Sequence, residues 1–333
     1  MDKKRLLSGI KPTGDLTLGN YIGALRNFVN LQNEFDSYFF VADLHALTTG
    51  AVDPIELRKA RKTIVALYLA CGLNPEKATI FYQSQVEEHA MMQWLCASET
   101  TLGELQRMTQ YKDKATKLKQ ANGTNKIPTN LLMYPTLMAG DVLLYNAEIV
   151  PIGEDQIQHL ELTRNIAERL NSKYNMNLTM PEGYVPKVGA RIKSLTDPTS
   201  KMSKSEKGTK STIYLLEDPQ QAYNKIMKAV TDSENKVYIS ESKPGILNLL
   251  NIYAALKNIT LKEAEEEFKN ANYQEFKQAV ATAVKELLID IQSKYQQALK
   301  IVDEITEEGA KKASMIAKPV LNKLMKKMGL YAK

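Results

Sequence analysis

Four short apolar runs recur in the first half of the chain, and patterns typical of amphipathic helices separate them. The runs span residues 6–10, 38–42, 78–83 and 148–152. In residues 64–71, apolar side chains fall at helical spacing. This alternation predicts an α/β fold with a doubly wound parallel sheet. Such sheets bind ligands beyond the carboxyl ends of their strands.

The first predicted strand is followed by a glycine-bearing turn, residues 11–14, and then by a predicted helix over residues 21–32. The first N–H groups of a helix lack partners and carry the positive end of its dipole, so this turn is a candidate anion site. Asp15 and Leu16 stand where a P-loop needs Lys and Ser or Thr, and no G-x-G-x-x-G follows. P-loop ATPases and dinucleotide-binding proteins are therefore disfavoured.

A second candidate phosphate site is the segment 201–205, which carries two lysines and two serines. A loop of this kind can close over a polyphosphate, although Lys- and Ser-rich segments are also common as solvated surface loops. Beyond Thr212 the strand signals fade and helical patterns take over, so residues 214 to about 317 are predicted to be a mostly α-helical region. The polar stretch 117–129 is predicted to be a surface loop.

Composition limits the class of protein. With 333 residues, 44% of them hydrophobic, the chain can bury a large core. No apolar run approaches the ~18 residues that cross a bilayer, and the charged residues 1–5 lead directly into a strand. We therefore expect a cytoplasmic protein without a membrane partner. Cys71 and Cys96 are too far apart for a zinc or redox motif, and three histidines argue against a metal cage.

The net charge of +6 is unevenly distributed. After Glu308 the chain has seven lysines and no acidic residue, and residues 107–126 form a second basic segment. Either segment could be an ordinary solvated helix face. The asymmetry also fits a polyanionic partner such as RNA.

Several of these segments resemble one family. Residues 12–20 look like the HIGH element of class I aminoacyl-tRNA synthetases, and residues 201–205 look like their KMSKS loop. Further stretches are similar to bacterial-type tryptophanyl-tRNA synthetases along nearly the whole chain: residues 8–10, 19–25, 137–145, 150–156 and His159.

The resemblance implies a domain organisation and a reaction. Residues 1–200 would form a Rossmann-like catalytic domain with a dimerisation insert near 87–134, residues 201–213 a mobile KMSKS loop, and residues 214–333 a smaller helical domain for the tRNA anticodon. The enzyme would be a homodimer that converts L-tryptophan and ATP into tryptophanyl-adenylate and pyrophosphate. It would then transfer tryptophan to the 3′ end of tRNA(Trp), with Mg²⁺ carried by ATP and no resident metal.

The substrate carboxylate is already ionised, so activation needs no general base and rests on positioning and charge stabilisation. The resemblance assigns catalytic roles to Lys204, Lys201, Lys114 and Asn20. It assigns ATP binding to Lys11, Pro12, Thr13, Thr17, Gly19, Asn20, Gly153, Glu154, Asp155, Ile192, Lys201, Met202, Ser203, Lys204 and Ser205.

Five of these residues depart from the family pattern or have a second possible role. Thr17 and Asn20 replace the two histidines of HIGH and could still donate hydrogen bonds to phosphate. Lys11 stands where the family suggests glutamine. The Glu154 and Asp155 carboxylates could accept from ribose hydroxyls or could instead cap the following helix.

Tryptophan recognition centres on one predicted residue. Indole has a single N–H donor and no acceptor, so a carboxylate in an apolar pocket is its natural partner. Asp141, surrounded by hydrophobic residues on a helix-like segment, fits this role, and a structural Asp bonded to backbone N–H groups is the alternative. Further pocket residues implied by the resemblance are Met138, Tyr134, Gln156, His45, Leu7, Gly9, Val150 and Ile152. Leu7 stands where phenylalanine is expected.

Three other functions remain open. Tyrosyl-tRNA synthetases share both signature loops, but Met138 and Asp141 suit indole better than phenol. A nucleotidyltransferase that makes a dinucleotide cofactor, or a synthetase paralogue without aminoacylation, could use similar loops. The intact segment 201–205 together with 153–155 favours retained activation chemistry.

Overall fold

Five parallel strands form the centre of the computed structural model, which describes residues 3–49, 52–122, 126–184, 192–202 and 210–331. The strands are β1 Arg5–Ile10, β2 Asp36–Val41, β3 Ala78–Tyr82, β4 Ile149–Pro151 and β5 Glu182–Tyr184. Their order is β3-β2-β1-β4-β5, and each neighbouring pair is parallel. The predicted sheet is confirmed. The edge strand β5 was not predicted, because its three residues are largely exposed and lack an apolar pattern.

Helices cover both faces of the sheet and account for much of the rest of the described chain. In chain order they are α1 Leu18–Asn20, α2 Arg26–Glu34, α3 Asp43–Ala46, α4 Pro54–Ala70, α5 Glu88–Ser98, α6 Leu102–Arg107, α7 Thr109–Asn122, α8 Thr129–Leu144, α9 Ile157–Tyr174, α10 Pro219–Met227, α11 Pro244–Lys257, α12 Leu261–Phe268, α13 Tyr273–Ala298 and α14 Val302–Lys327. The predicted loop 117–129 is wrong for its first part, since α7 continues to Asn122.

The helix starts follow local capping rules. Asp53 accepts from the N–H groups of Ile55 and Glu56 at 2.8 and 2.9 Å, and Pro54 occupies the first turn, where no N–H partner is needed. Reciprocal capping boxes start α6 at Thr101, α12 at Thr260 and α13 at Asn272, each with Glu three residues later.

The region after residue 214 is mostly helical, as predicted, but its last helix packs in an unexpected place. Val280, Val284 and Ile291 are buried on one face of α13, which packs against α10, α11 and α4. The last helix, α14, instead returns to the sheet and packs along β3. The segment predicted as a separate helical domain therefore includes a helix that covers the sheet. No helix in the described ranges is both long and apolar enough to cross a membrane.

Candidate active site

The predicted ligand site lies where the strand order reverses: β2 and β3 follow on one side of β1, and β4 and β5 on the other. The chain leaves β1 through a turn in which Gly14 has φ of +68°, a conformation that glycine adopts without strain. Short α3 follows β2, and a 3₁₀ turn, Glu154–Gln156, follows β4. These three connections supply nearly half of the predicted site residues.

The turn after β1 closes with a capping box between Thr17 and Asn20. The Thr17 hydroxyl donates to Asn20 Oδ1 at 3.1 Å and accepts from the Asn20 backbone N–H at 3.2 Å. Since Thr17 is buried and its hydroxyl proton is engaged, the predicted donation from Thr17 to phosphate is not available in this arrangement. The helix predicted as one unit over 21–32 begins at Leu18 and passes through a π-helical segment, Tyr21–Leu25, a distortion common at functional sites.

The base of the lysine and serine segment lies against this turn. The Met202 N–H donates to the Ile192 carbonyl oxygen at 3.1 Å, and a Cβ placed on Gly19 would lie 3.6 Å from Ile192 Cβ and 3.8 Å from Met202 Cβ. Both side chains are buried, whereas Lys201 is exposed. The structure thus brings the two predicted signature elements together. Ser203, Lys204 and Ser205 lie outside the described residues.

Two lysines lie close together in the cleft. Lys11 Nζ donates to Thr48 Oγ1 at 3.4 Å, and Lys114 Nζ donates to Gln110 Oε1 at 3.1 Å and lies 5.0 Å from the centre of the Tyr134 ring. Burial, and then repulsion from Lys114, lowers the pKa of Lys11 to about 8, and burial also lowers the pKa of Lys114. An anion bound between the two ammonium groups would relieve this repulsion, as the predicted phosphate site requires.

Beside Lys114, the segment after β4 forms a small polar network. Asp155 Oδ2 accepts from Gln110 Nε2 at 2.8 Å and from Gln156 Nε2 at 3.0 Å. The alternative that Asp155 caps the next helix is wrong, because the N-cap of α9 is Gln156, which makes no side-chain capping bond. Asp155 is exposed, so a ligand hydroxyl could replace these amides as its hydrogen-bond donor.

Pro12 and Thr13 lie on the turn after β1, where Pro12 is buried and Thr13 is exposed.

Helix α8 carries three predicted pocket residues on one face. Tyr134, Met138 and Asp141 follow at positions i, i+4 and i+7, a spacing that stacks side chains along a helix. The Tyr134 hydroxyl and His159 Nε2 are 2.5 Å apart. Burial, and then the charge of Lys114, lowers the pKa of His159 to about 4, so its ring is neutral at pH 7.

Asp141 is 2% exposed and has side-chain partners on both carboxylate oxygens. Oδ1 accepts from Gln83 Nε2 at 2.7 Å and from His89 Nδ1 at 2.6 Å, and Oδ2 accepts from His45 Nε2 at 2.9 Å. Burial alone would raise its pKa, but the hydrogen bonds from His45 and His89 outweigh burial and bring the pKa to about 2. The alternative of an Asp held by backbone N–H groups is therefore wrong.

The predicted apolar walls are core residues that border the cleft. Leu7, Val150 and Ile152 are buried in one hydrophobic cluster, and Met138 packs against it with part of its surface exposed. Gly9 on β1 lies against Phe40, since an added Cβ would come within 2.8 Å of Phe40 Cζ. A larger residue at Gly9 would push the ring out of place.

Sequence reasoning gave no site role to five polar residues that complete the site. They are Gln83, His89, Gln110, Tyr145 and His159. The chain has only three histidines, and the structure places all of them around Asp141 and Tyr134. Their rarity could have marked each of them as a candidate site residue.

Comparison with known proteins finds relatives that match the chain along its full length. The family described as tRNA synthetases class I (W and Y) matches residues 2–289. The chain is 59% identical to the tryptophan–tRNA ligase of Mycoplasmopsis pulmonis (strain UAB CTIP) over 333 residues, which is 100% of both chains.

Two solved structures are similar in fold and sequence. The crystal structure of tryptophanyl-tRNA synthetase from Mycoplasma pneumoniae superposes with a TM-score of 0.90 at 40% identity, over 99% of this chain and 98% of that one. The Campylobacter jejuni tryptophanyl-tRNA synthetase, complexed with ADP and tryptophan, gives a TM-score of 0.80 at 30% identity, over 98% and 99%.

Proposed function

Because this chain belongs to the class I tRNA synthetases of the tryptophan and tyrosine family, we propose that it is a ligase that attaches L-tryptophan to tRNA(Trp). The observation that carries the choice of amino acid is the ionised, buried carboxylate of Asp141, in a chain whose full-length relatives are tryptophan–tRNA ligases. A phenyl ring would leave that carboxylate without the donor that indole supplies. A phenol could donate its O–H, so the choice against tyrosine is supported by the full-length relatives.

The reaction has two steps. A carboxylate oxygen of tryptophan attacks the α-phosphorus of ATP, and the bond from that phosphorus to the oxygen bridging to the β-phosphate breaks. The products are tryptophanyl-adenylate and pyrophosphate. A hydroxyl of the 3′-terminal ribose of tRNA then attacks the activated carbonyl, AMP leaves, and the hydroxyl proton passes to solvent.

Charge stabilisation of the leaving pyrophosphate falls to the lysines. Lys11 and Lys114 lie near each other, and Lys201 stands at the base of the segment that carries Lys204. Their interaction strengthens as negative charge develops on pyrophosphate, and for that reason they raise the rate. Mg²⁺ would be held by ATP oxygens and would neutralise phosphate charge. Within the described residues, no group of three His, Cys, Asp or Glu side chains could hold a metal ion.

The amino acid would lie along α8. Its indole N–H would donate to Asp141, its ring would contact Met138, and its ammonium and carboxylate groups would face Tyr134 and Gln156. The Tyr134 oxygen keeps a lone pair beyond its hydrogen bond to His159. The ribose of ATP would be held by Asp155, and the adenine by the backbone at Ile192.

A homodimer in the cytoplasm, with tRNA bound along a basic surface, completes the proposal. Met91, Trp94 and Leu102 expose 43, 69 and 60% of their surface within the segment assigned to dimerisation. Such exposed large side chains favour a protein interface. The exposed lysines of α14 and of α7 supply positive charge for the tRNA backbone.

The test is pyrophosphate–ATP exchange by the purified protein with Mg²⁺ and each of the twenty amino acids, without tRNA. Exchange with tryptophan alone supports the proposal. Exchange with tyrosine alone would contradict it in favour of a tyrosyl-tRNA synthetase. A lack of exchange with every amino acid would contradict activation chemistry as a whole.

A further inference from the structure

The surroundings of Asp141 leave one place for a ligand hydrogen bond. An ionised carboxylate offers about two acceptor sites on each oxygen. Gln83 Nε2 and His89 Nδ1 fill the two sites of Oδ1, and His45 Nε2 fills one site of Oδ2. Among the residues that the structure describes, none occupies the remaining site, which is on Oδ2 beside a His45 side chain that is 15% exposed. Indole has one N–H to place there.

A second hydrogen bond lies behind this carboxylate. His89 and Tyr145 are both fully buried, and His89 Nε2 lies 2.9 Å from the Tyr145 hydroxyl oxygen. Because an ionised carboxylate can only accept, His89 Nδ1 must carry a proton toward Asp141. In a neutral ring, Nε2 then accepts from the Tyr145 hydroxyl, which stays protonated because burial raises the pKa of Tyr145 well above its usual value. Tyr145 thus selects the required tautomer of His89.

Packing also holds the His89 ring in place. The ring centre lies 5.8 Å from that of Phe40, 6.0 Å from that of Phe81 and 5.5 Å from that of Tyr145. A ring surrounded by three aromatic side chains cannot rotate without displacing them. His89 Nδ1 is therefore aimed at Asp141 Oδ1 by both packing and hydrogen bonding.

We propose that His89, oriented by Tyr145, is a positioning residue that directs the single open acceptor site of Asp141 toward the indole N–H and so contributes to selection of tryptophan. The inference rests on the proposed function. His89 touches no substrate. Its hydrogen bond to Asp141 Oδ1 stabilises the ionised carboxylate. The same bond prevents the carboxylate from rotating, so that Oδ2, with its open site, stays on the side of the indole.

The experiment compares two amino acids that differ at the indole nitrogen. Pyrophosphate exchange is measured with L-tryptophan and with 3-benzothienylalanine, in which sulfur replaces the N–H group. The kcat/KM for L-tryptophan divided by the kcat/KM for 3-benzothienylalanine measures the contribution of the hydrogen bond to Asp141. This quotient is called the ratio below. The variants are His89→Leu, which removes both ring nitrogens, His89→Asn, which keeps a donor near Nδ1, and Tyr145→Phe, which removes one hydroxyl.

We expect His89→Leu to lower the ratio about 10- to 100-fold, the range for a hydrogen bond to a charged group. Tyr145→Phe should lower it about two- to tenfold, as for a neutral hydrogen bond. The loss should appear in the KM for tryptophan, since the indole bond is present in both the bound and the transition states. His89→Asn should recover most of the ratio.

A matched control is Tyr68→Phe, which deletes a buried hydroxyl that donates to the Phe40 carbonyl oxygen at 3.2 Å and has no bond to His89. It should lower the melting temperature and leave the ratio unchanged. Equal losses for both amino acids in the His89 variants, or an Asn variant no better than Leu, would overturn the inference. If His89→Leu does not fold, Tyr145→Phe decides by the same ratio. An inactive wild-type protein would instead refute the proposed function.

Discussion

Individual side chains in the cleft carry opposite charges for different purposes. Asp141 is held ionised in an apolar wall by donors from three directions, which suits recognition of a donor that is neutral. Lys11 and Lys114 are partly buried near each other, which suits binding of a polyanion. The cost of burying like charges is recovered when phosphate binds.

Replacing Asp141 by Ala should raise the KM for tryptophan about 10- to 100-fold and reduce discrimination against phenylalanine, with a smaller effect on kcat. The physical reason is the loss of the acceptor for the indole N–H. The measurement is pyrophosphate exchange over a range of tryptophan and phenylalanine concentrations, with thermal unfolding as a check on folding. An unchanged KM would contradict the assignment of Asp141 to the indole pocket.

The lowered pKa of Lys11 predicts a pH dependence of ATP binding. Below pH 8 Lys11 is charged and attracts phosphate. As pH rises above about 8, the free protein loses this charge, so the KM for ATP should rise. The KM for ATP is measured from pH 7 to 9.5 in the wild type and in Lys11→Gln, which should lack this rise. The exposed Lys59→Gln on α4 is the control and should follow the wild type.

The same group affects stability with a defined sign. The pKa of Lys11 is about 8 in the folded protein and 10.5 as a free side chain, so between these values the unfolded chain binds more protons. Its contribution to the free energy of unfolding should therefore increase as pH rises from 8 to 10.5. Lys11→Gln should remove this increment from the pH profile of the melting temperature.

Among the secondary-structure elements, α14 and α8 depend on close approach to their neighbours. Gly309 of α14 lies against the Ile80 carbonyl oxygen of β3, and an added Cβ would come within 1.8 Å of that atom. Gly140 of α8 lies against α5, where an added Cβ would be 2.9 Å from the Gln93 nitrogen. Backbone atoms cannot yield as a flexible side chain can. These two glycines therefore set how closely the helices pack.

We expect Gly309→Ala to destabilise the protein by about 3 kcal/mol, the upper part of the range for overpacking, because α14 must shift away from β3. Thermal unfolding monitored by circular dichroism measures the effect. Gly103→Ala is the matched control, since its added Cβ would meet only the Arg107 guanidinium at 3.5 Å. Alanine there should be neutral or slightly stabilising. Equal melting temperatures for the two variants would contradict the close contact.

In the molecule as a whole, the position of α14 couples the basic C-terminal segment to the parallel sheet. Lys311, Lys318 and Lys323 are exposed on a helix whose opposite side packs against β3, α5 and α8. Ser314 joins α5 directly by donating to Glu88 at 2.8 Å. The lysines therefore lie on a helix that is fixed to the sheet and to α5 and α8.

Replacing Lys311, Lys318 and Lys323 by Gln should raise the KM for tRNA and weaken its dependence on salt, because fewer phosphate charges are neutralised. Pyrophosphate exchange without tRNA should keep its wild-type rate. Aminoacylation assays at several salt concentrations make the measurement. Replacement of Arg58, Lys59 and Lys62, three exposed cations on α4, is the matched control. If both triple variants change the KM for tRNA equally, net charge and not this surface is responsible.

Local patterns were sufficient for much of the fold. Short apolar runs predicted β1 to β4, and helical spacing of apolar residues predicted the helical region after residue 214, because burial of one face depends on neighbours within a few residues. The residue pattern of 11–20 and 201–205 indicated a phosphate site, and the resemblance to synthetases pointed to Asp141. Strand β5 and the full length of α7 were missed, since an exposed edge strand and a polar helix carry weak periodic signals.

Contacts between distant parts of the chain decided the rest. His89 lies 52 residues before Asp141 and 56 before Tyr145, and as separate residues they are typical of ordinary core positions. Only the packing of α5 against α8 brings them together. The return of α14 to β3 likewise depends on a gap that Gly309 leaves for a backbone carbonyl 229 residues earlier in the chain, counted from 309 and 80. The local spacing of the sequence therefore determined the elements and the type of chemistry. The tertiary structure decided the hydrogen-bonding environment of Asp141, because burial and hydrogen bonds between distant residues arise only when those elements pack.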